Sequence, residues 1–83
     1  MSKNTHVNVT IDFRNWEAGI YDLRIPAHQS VKSLLLNLMD TLQIQPSDGS
    51  RFAIKVATKN LLLSDDDILL HYPVADGDLL TVL

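Results

Sequence analysis

One stretch of this chain repeats its apolar residues with the period of a helix, and on both sides of it the pattern alternates instead. Val31, Leu34, Leu35, Leu38 and Leu42 are spaced so that they form one stripe on an α-helix facing a core. Ser30 stands directly before the stripe as an N-cap, its hydroxyl placed to accept from a free backbone amide just inside the helix. A lone amphipathic helix cannot cover its own stripe, so the alternating stretches must supply a sheet beneath it. Turn chemistry at Pro46-Ser47-Asp48-Gly49-Ser50 separates the helix from the next strand.

The clearest strand is Val7-Asn8-Val9-Thr10-Ile11-Asp12-Phe13, which alternates without a break. Arg14 to Gly19 interrupts it, with Asn15 and Gly19 able to take turn angles. A second strand, Ile20 to Ile25, puts Tyr21, Leu23 and Ile25 on one face, and Pro26 is expected to end it by removing a ladder donor. After the helix, Phe52-Ala53-Ile54-Lys55-Val56-Ala57 alternates with Lys55 outward. Leu61-Leu62-Leu63 reads as a brief edge strand, and Ser64 or Asp65 as the cap of a helical turn through Ile68-Leu69-Leu70 that Pro73 closes. Asp76-Gly77-Asp78 then turns the chain into a last strand, Leu79 to Leu83. First and last strands that both read as buried are best placed parallel and adjacent in the sheet centre, with the helix as crossover. That arrangement is an α+β fold of the β-grasp type, a mixed sheet of four to five strands on one helix. Residues 1–6 form a polar lead and residues 7–83 one domain.

Composition narrows the chemistry. Cysteine is absent, which excludes thiol catalysis, iron–sulfur clusters and cysteine zinc sites. It also accords with a cytoplasmic protein. The net charge is −3, and the basic residues Lys3, Arg14, Arg24, Lys32, Arg51, Lys55 and Lys59 are scattered, so no nucleic-acid footprint forms. The polar opening lacks the apolar stretch of a signal peptide. The run from Leu34 to Met39 falls far short of the roughly 20 residues that cross a bilayer. A soluble protein with no membrane insertion is expected. His6, His28 and His71 lie in different elements, and no nucleophile, base and orienting group converge, so neither a metal, a cofactor nor an enzyme is expected. The run Asp65-Asp66-Asp67 lacks the glycine and late glutamate of a calcium loop and reads as a solvated capping turn.

Over nearly its whole length the chain resembles the ubiquitin superfamily. The resemblance rests on Thr58-Lys59-Asn60-Leu61, on Leu69-Leu70-His71-Tyr72-Pro73-Val74 and on Leu80-Thr81-Val82. Tyr72 falls where ubiquitin has a loop tyrosine whose hydroxyl ties back to backbone. More narrowly, several pieces in order resemble the YukD/EsaB family: Val9 to Phe13, Tyr21-Asp22-Leu23, Val31-Lys32, Ile54-Lys55-Val56 with Thr58-Lys59, and Asp76-Gly77-Asp78. These are small ubiquitin-like proteins encoded with the type VII (ESX, WXG) secretion machinery of Gram-positive bacteria. The resemblance implies a cytoplasmic, non-enzymatic interaction module that assists or regulates type VII secretion by docking onto protein components of the apparatus. Two competing functions of the fold are weighed against it. A modifier or sulfur carrier needs a terminal Gly-Gly, whereas no glycine follows Gly77 here, so conjugation is not expected. A PB1-like heterodimerising adaptor would use Asp76-Gly77-Asp78 as an acidic surface; otherwise this is an ordinary turn whose glycine takes a positive φ.

The candidate partner-binding residues are Leu35, Leu36, Met39, Trp16 and Lys55. Leu36 and Met39 lie off the stripe's centre and, with Leu35, give the helix more apolar surface than one sheet face covers. Burying each is worth about 1.5–3 kcal/mol, so a partner, a second copy of the chain or the neighbouring loops should cover them. Trp16 is either a partner anchor or a lid folded over the sheet edge. Lys55 occupies the position of the outward isoleucine at the centre of ubiquitin's recognition patch, flanked by Ala53 and Ala57, so that patch is not reproduced. The sheet face around Lys55 is the alternative docking surface.

Overall fold

The computed structural model describes residues 5–45 and 52–83. The turn cluster Pro46 to Ser50 and most of the polar lead lie outside them. The strands are β1 (His6–Asp12), β2 (Ile20–Pro26), β3 (Ala53–Val56), β4 (Leu61–Ser64) and β5 (Leu79–Val82), with one helix, α1 (Val31–Leu42), between β2 and β3. Short 3-10 turns span Arg14–Trp16 and Leu69–His71. The strands form one mixed sheet in the order β2-β1-β5-β3-β4. β1 and β5 run parallel side by side, Thr10 opposite Leu79 and Asp12 opposite Thr81. All other pairings are antiparallel. This is the expected β-grasp, with α1 packed on one face and the other face open.

The central strands carry the most thoroughly covered apolar residues. The inward side chains Val7, Val9 and Ile11 of β1, Leu80 and Val82 of β5, and Ile54 and Val56 of β3 are all buried, together with Phe13 and Phe52 just outside the strands. At the two ends of the sheet coverage thins, so Tyr21 and Leu23 on β2 and Leu61 on β4 are half-buried.

The N-terminus of α1 is capped both by its own sequence and by a distant turn. Ser30 Oγ accepts from Ser33 N–H at 3.2 Å. The first helical amides, Val31 and Lys32, donate to the backbone carbonyls of Asp67 (2.8 Å) and Asp65 (3.1 Å). The acidic turn therefore caps a helix, but the capped helix is α1 and the capping atoms are main-chain oxygens. The 3-10 turn at Leu69–His71 starts from Ile68 with no side-chain cap, which corrects the expectation placed on Ser64 and Asp65.

The stripe of α1 is also wider than expected. Val31, Leu34, Leu35 and Met39 are buried, whereas Leu38 and Leu42 are half-buried. At about 100° per residue, Leu34 and Met39 bound an arc of about 140°, too wide for a flat sheet face alone. The chain closes the gap itself: Gln43 takes a left-handed φ of 61°, and Ile44 N–H returns to Met39 carbonyl at 2.8 Å, bringing the Ile44 side chain onto the core.

β2 does end at Pro26, which is its last residue, opposite His6, but not for the reason expected. In this register the bonded neighbours are Phe13 with Gly19 and Thr5 with Ala27. Pro26 thus lies at a position whose N–H would point away from β1, and it removes no ladder bond. In the loop before β2 the left-handed residue is Glu17, at φ 58°, not Asn15 or Gly19.

Candidate functional site

The polar clusters that invite a chemical reading are absorbed by the fold. Asp78 is 6% exposed. Its carboxylate accepts from Thr58 Oγ1 at 2.7 Å, Lys59 Nζ at 2.6 Å and Ala75 N–H at 2.8 Å. Burial by itself would raise its pKa, but the Lys59 ammonium and the two neutral donors outweigh that and hold it below the usual carboxylate value. Asp76 Oδ1 accepts from Asn8 N–H at 2.8 Å, and Gly77, at φ 90°, donates to Asn8 carbonyl. Both aspartates of the turn thus lock the start of β5 into the sheet, and the acidic surface of the PB1-like reading is spent internally.

The other acidic groups behave in the same way. Asp65 Oδ1 accepts from Phe52 N–H at 2.7 Å, continuing the β3–β4 ladder by a side chain. Asp67 accepts from Ser64 N–H and from the Tyr72 hydroxyl at 2.9 Å. Those bonds, the Ser64 amide first, lower the pKa of Asp67, and the carboxylate in turn raises that of Tyr72. The loop tyrosine therefore ties to a side chain rather than to backbone, because Asp67 supplies the acceptor. Asp12 is held below its usual value by the Arg14 side chain and N–H. Among the described residues no group of three or more His, Cys, Asp or Glu is placed to hold a metal ion. No helix among them is long and apolar enough to cross a membrane.

The candidate docking residues separate cleanly. Leu35 and Met39 are 0% and 1% exposed and belong to the core, a correction that follows from the widened stripe. Leu36 alone of the three reaches the surface, 40% exposed, at the rim of a shallow groove with Asp40, Gln43 and Ile44. Trp16 folds back: its ring stacks on Phe52 at 6.0 Å and 12°, and its Nε1–H donates to Leu83 carbonyl at 3.1 Å. Leu83 N–H also donates to Ala53 carbonyl, so the end of β5 is held on both sides.

Lys55 lies on the open sheet face, opposite Thr81 of β5 and Leu62 of β4. Leu62 is 65% exposed, the most exposed large apolar side chain described. Asp12 and Asp78, the buried acids at the sheet centre, are already paired with Arg14 and Lys59. The β3–β4 end of the open face thus sets an exposed apolar side chain beside a cation. Leu62 escapes the sequence reading, although its outward parity is readable once Leu61-Leu62-Leu63 is treated as alternating.

Comparison with known proteins gives consistent matches. The family model described as "WXG100 protein secretion system (Wss), protein YukD" matches residues 6–82. The "Type VII secretion system accessory factor EsaB" of Staphylococcus aureus strain Newman is 45% identical over 80 residues, covering 96% of this chain and 99% of that protein. The EsaB proteins of strains COL and N315 match to the same extent.

Proposed function

This chain belongs to the YukD family of WXG100 secretion proteins, and from that premise we propose that it is a non-enzymatic accessory module that docks, without covalent attachment, onto a protein of the type VII secretion apparatus on its cytoplasmic side. The observation that carries the reading is the open sheet face. Lys55 stands there beside the 65% exposed Leu62, while Asp65, Asp67 and Asp78 are engaged in internal bonds. A surface of that composition suits a partner element with an apolar ridge and a carboxylate to meet Lys55.

The experiment is a cross-linked pull-down from membrane and cytoplasmic fractions of the native cell, combined with a secretion assay in a deletion strain. The wild type should recover an apparatus protein and restore secretion to the deletion strain. Lys55→Glu with Leu62→Asp should do neither, at unchanged thermal stability. Intact secretion in the deletion strain, with no apparatus protein recovered, sinks the proposal. Recovery lost through Leu36→Asp but kept in the sheet-face variant moves the docking surface to α1. Adducts of higher mass on the protein isolated from cells would restore the modifier reading.

A further inference from the structure

We propose that the free edge of β2 is a self-association site, at which two copies of the chain join their sheets antiparallel about a twofold axis centred on Leu23. This edge is a different part of the molecule from the sheet face around Lys55, and its role does not depend on that face.

The two sheet edges differ in the main-chain groups they expose. Phe13 N–H donates to Gly19 carbonyl and Ala27 N–H to Thr5 carbonyl, at 3.0 and 2.8 Å, and both pairs continue the β1–β2 register. Bonded neighbours alternate along an antiparallel pair, so the odd-numbered residues of β2 face β1. The N–H and C=O of Ile20 and Asp22 accordingly point away from the sheet, along the edge that also carries Arg24. At the opposite edge the same reasoning, from Leu83 to Ala53 and Ala57 to Leu79, turns Leu62 and Ser64 of β4 outward. There half of the short edge is closed locally, leaving only the Leu62 groups outward: Ser64 N–H donates to Asp67 Oδ2 at 2.8 Å, and Ser64 carbonyl accepts from Asp67 N–H at 2.9 Å. Among the described residues no such closure covers Ile20 and Asp22, and a seven-residue strand is long for an uncovered edge.

Side chains then choose the occupant. When two β2 edges pair with Leu23 opposite Leu23, Asp22 of each copy falls opposite Arg24 of the other, and Ile20 opposite Pro26. The Pro26 carbonyl can accept from the Ile20 amide of the other copy, and only the return bond is lost. On the helix side the half-buried Leu23 meets its own copy at a closely spaced, non-bonded position, completing the burial that the sheet's end leaves unfinished. On the open side the two Asp22–Arg24 pairs are directly opposite and of unlike charge. Thr10 Oγ1 donates to Asp22 Oδ1 at 2.6 Å and so keeps that carboxylate on the open face. The neighbouring registers, with Asp22 opposite Asp22 or Arg24 opposite Arg24, set like charges together and are disfavoured. Charge and parity thus select one register. In it the two open faces lie on the same side of one continuous sheet, and each Lys55 stays uncovered because β1 and β5 separate β3 from β2.

Sedimentation equilibrium over about 10 µM to 1 mM tests this at low and high salt. A monomer–dimer equilibrium that weakens at high salt is expected. Asp22→Arg and Arg24→Asp should each weaken dimerisation at least tenfold, and the double exchange Asp22→Arg with Arg24→Asp should restore it. Hydrogen exchange on the wild type decides the matter even if a variant misfolds: the Ile20 and Asp22 amides should become protected as concentration rises, while the Leu62 amide does not change. A monomer up to 1 mM overturns the proposal, as does a dimer indifferent to charge reversal or Ile20 and Asp22 amides whose exchange does not depend on concentration.

Discussion

Asp78 offers the sharpest test of whether the acidic turn before β5 is structural. Asp78→Ala removes a carboxylate that accepts from Thr58, Lys59 and Ala75 and is 6% exposed. Hydrogen bonds to a charged group are worth about 1.5–3 kcal/mol each, but the donors sit on exposed residues that water can reach once the carboxylate is gone. The net loss should therefore be about 3 kcal/mol rather than the sum. The Lys59 ion pair contributes little of this. The Lys59 side chain is 31% exposed, and pairs open to solvent are worth about 0–1 kcal/mol, so Lys59→Ala should cost less than 1 kcal/mol. A chain of 83 residues has a total stability of about 4–12 kcal/mol. With a urea dependence of about 1.5 kcal/mol/M, Asp78→Ala should lower the midpoint by about 2 M without changing the slope. Equal losses from Asp78→Ala and Lys59→Ala would refute the claim that the Thr58 and Ala75 donors dominate. A loss below about 0.5 kcal/mol in Asp78→Ala would mean the turn is a solvated surface and would reopen the PB1-like reading.

Two further predictions rest on the same geometry. Met39→Asp places a charge among wholly buried side chains and should leave the chain unfolded by circular dichroism at 25 °C, whereas Leu36→Asp at the 40% exposed position should shift the thermal midpoint by only a few degrees; comparable losses would mean the helix is rotated from the orientation described. Acid should unfold the protein through Asp12, Asp67 and Asp78, whose folded pKa values are lowered. The folded state then binds fewer protons, so the stability these groups confer is fully present above about pH 4 and is lost as pH falls through their folded values; a urea midpoint that is constant from pH 5 to pH 2 would contradict this.

The fold was largely legible because its signals are local. Alternation from Val7 to Phe13, the stripe after Ser30 and the Asp-Gly turn before Leu79 each state a period or a turn within a few residues, and only one arrangement buries them all. The docking candidates were less legible. Leu36 and Met39 looked alike along the helix, but Gln43 reversed the chain and set Ile44 against the core on the Met39 side, burying one and leaving the other at the surface. Trp16 was open between two roles until Phe52 and the carbonyl of Leu83, distant in the chain, came into range.

What the amino-acid sequence determined alone is the set of elements, their inward faces and the family likeness, since these depend on residue order within each element. What the tertiary structure decided is how each polar group is used. The carboxylates of Asp65, Asp67, Asp76 and Asp78 look alike as letters, yet one extends a ladder, one binds a tyrosine, one pins β1 and one holds Thr58 and Lys59. Those partners lie up to 68 residues away, and no local pattern encodes them, because a hydrogen bond depends on distances that exist only once the sheet has closed.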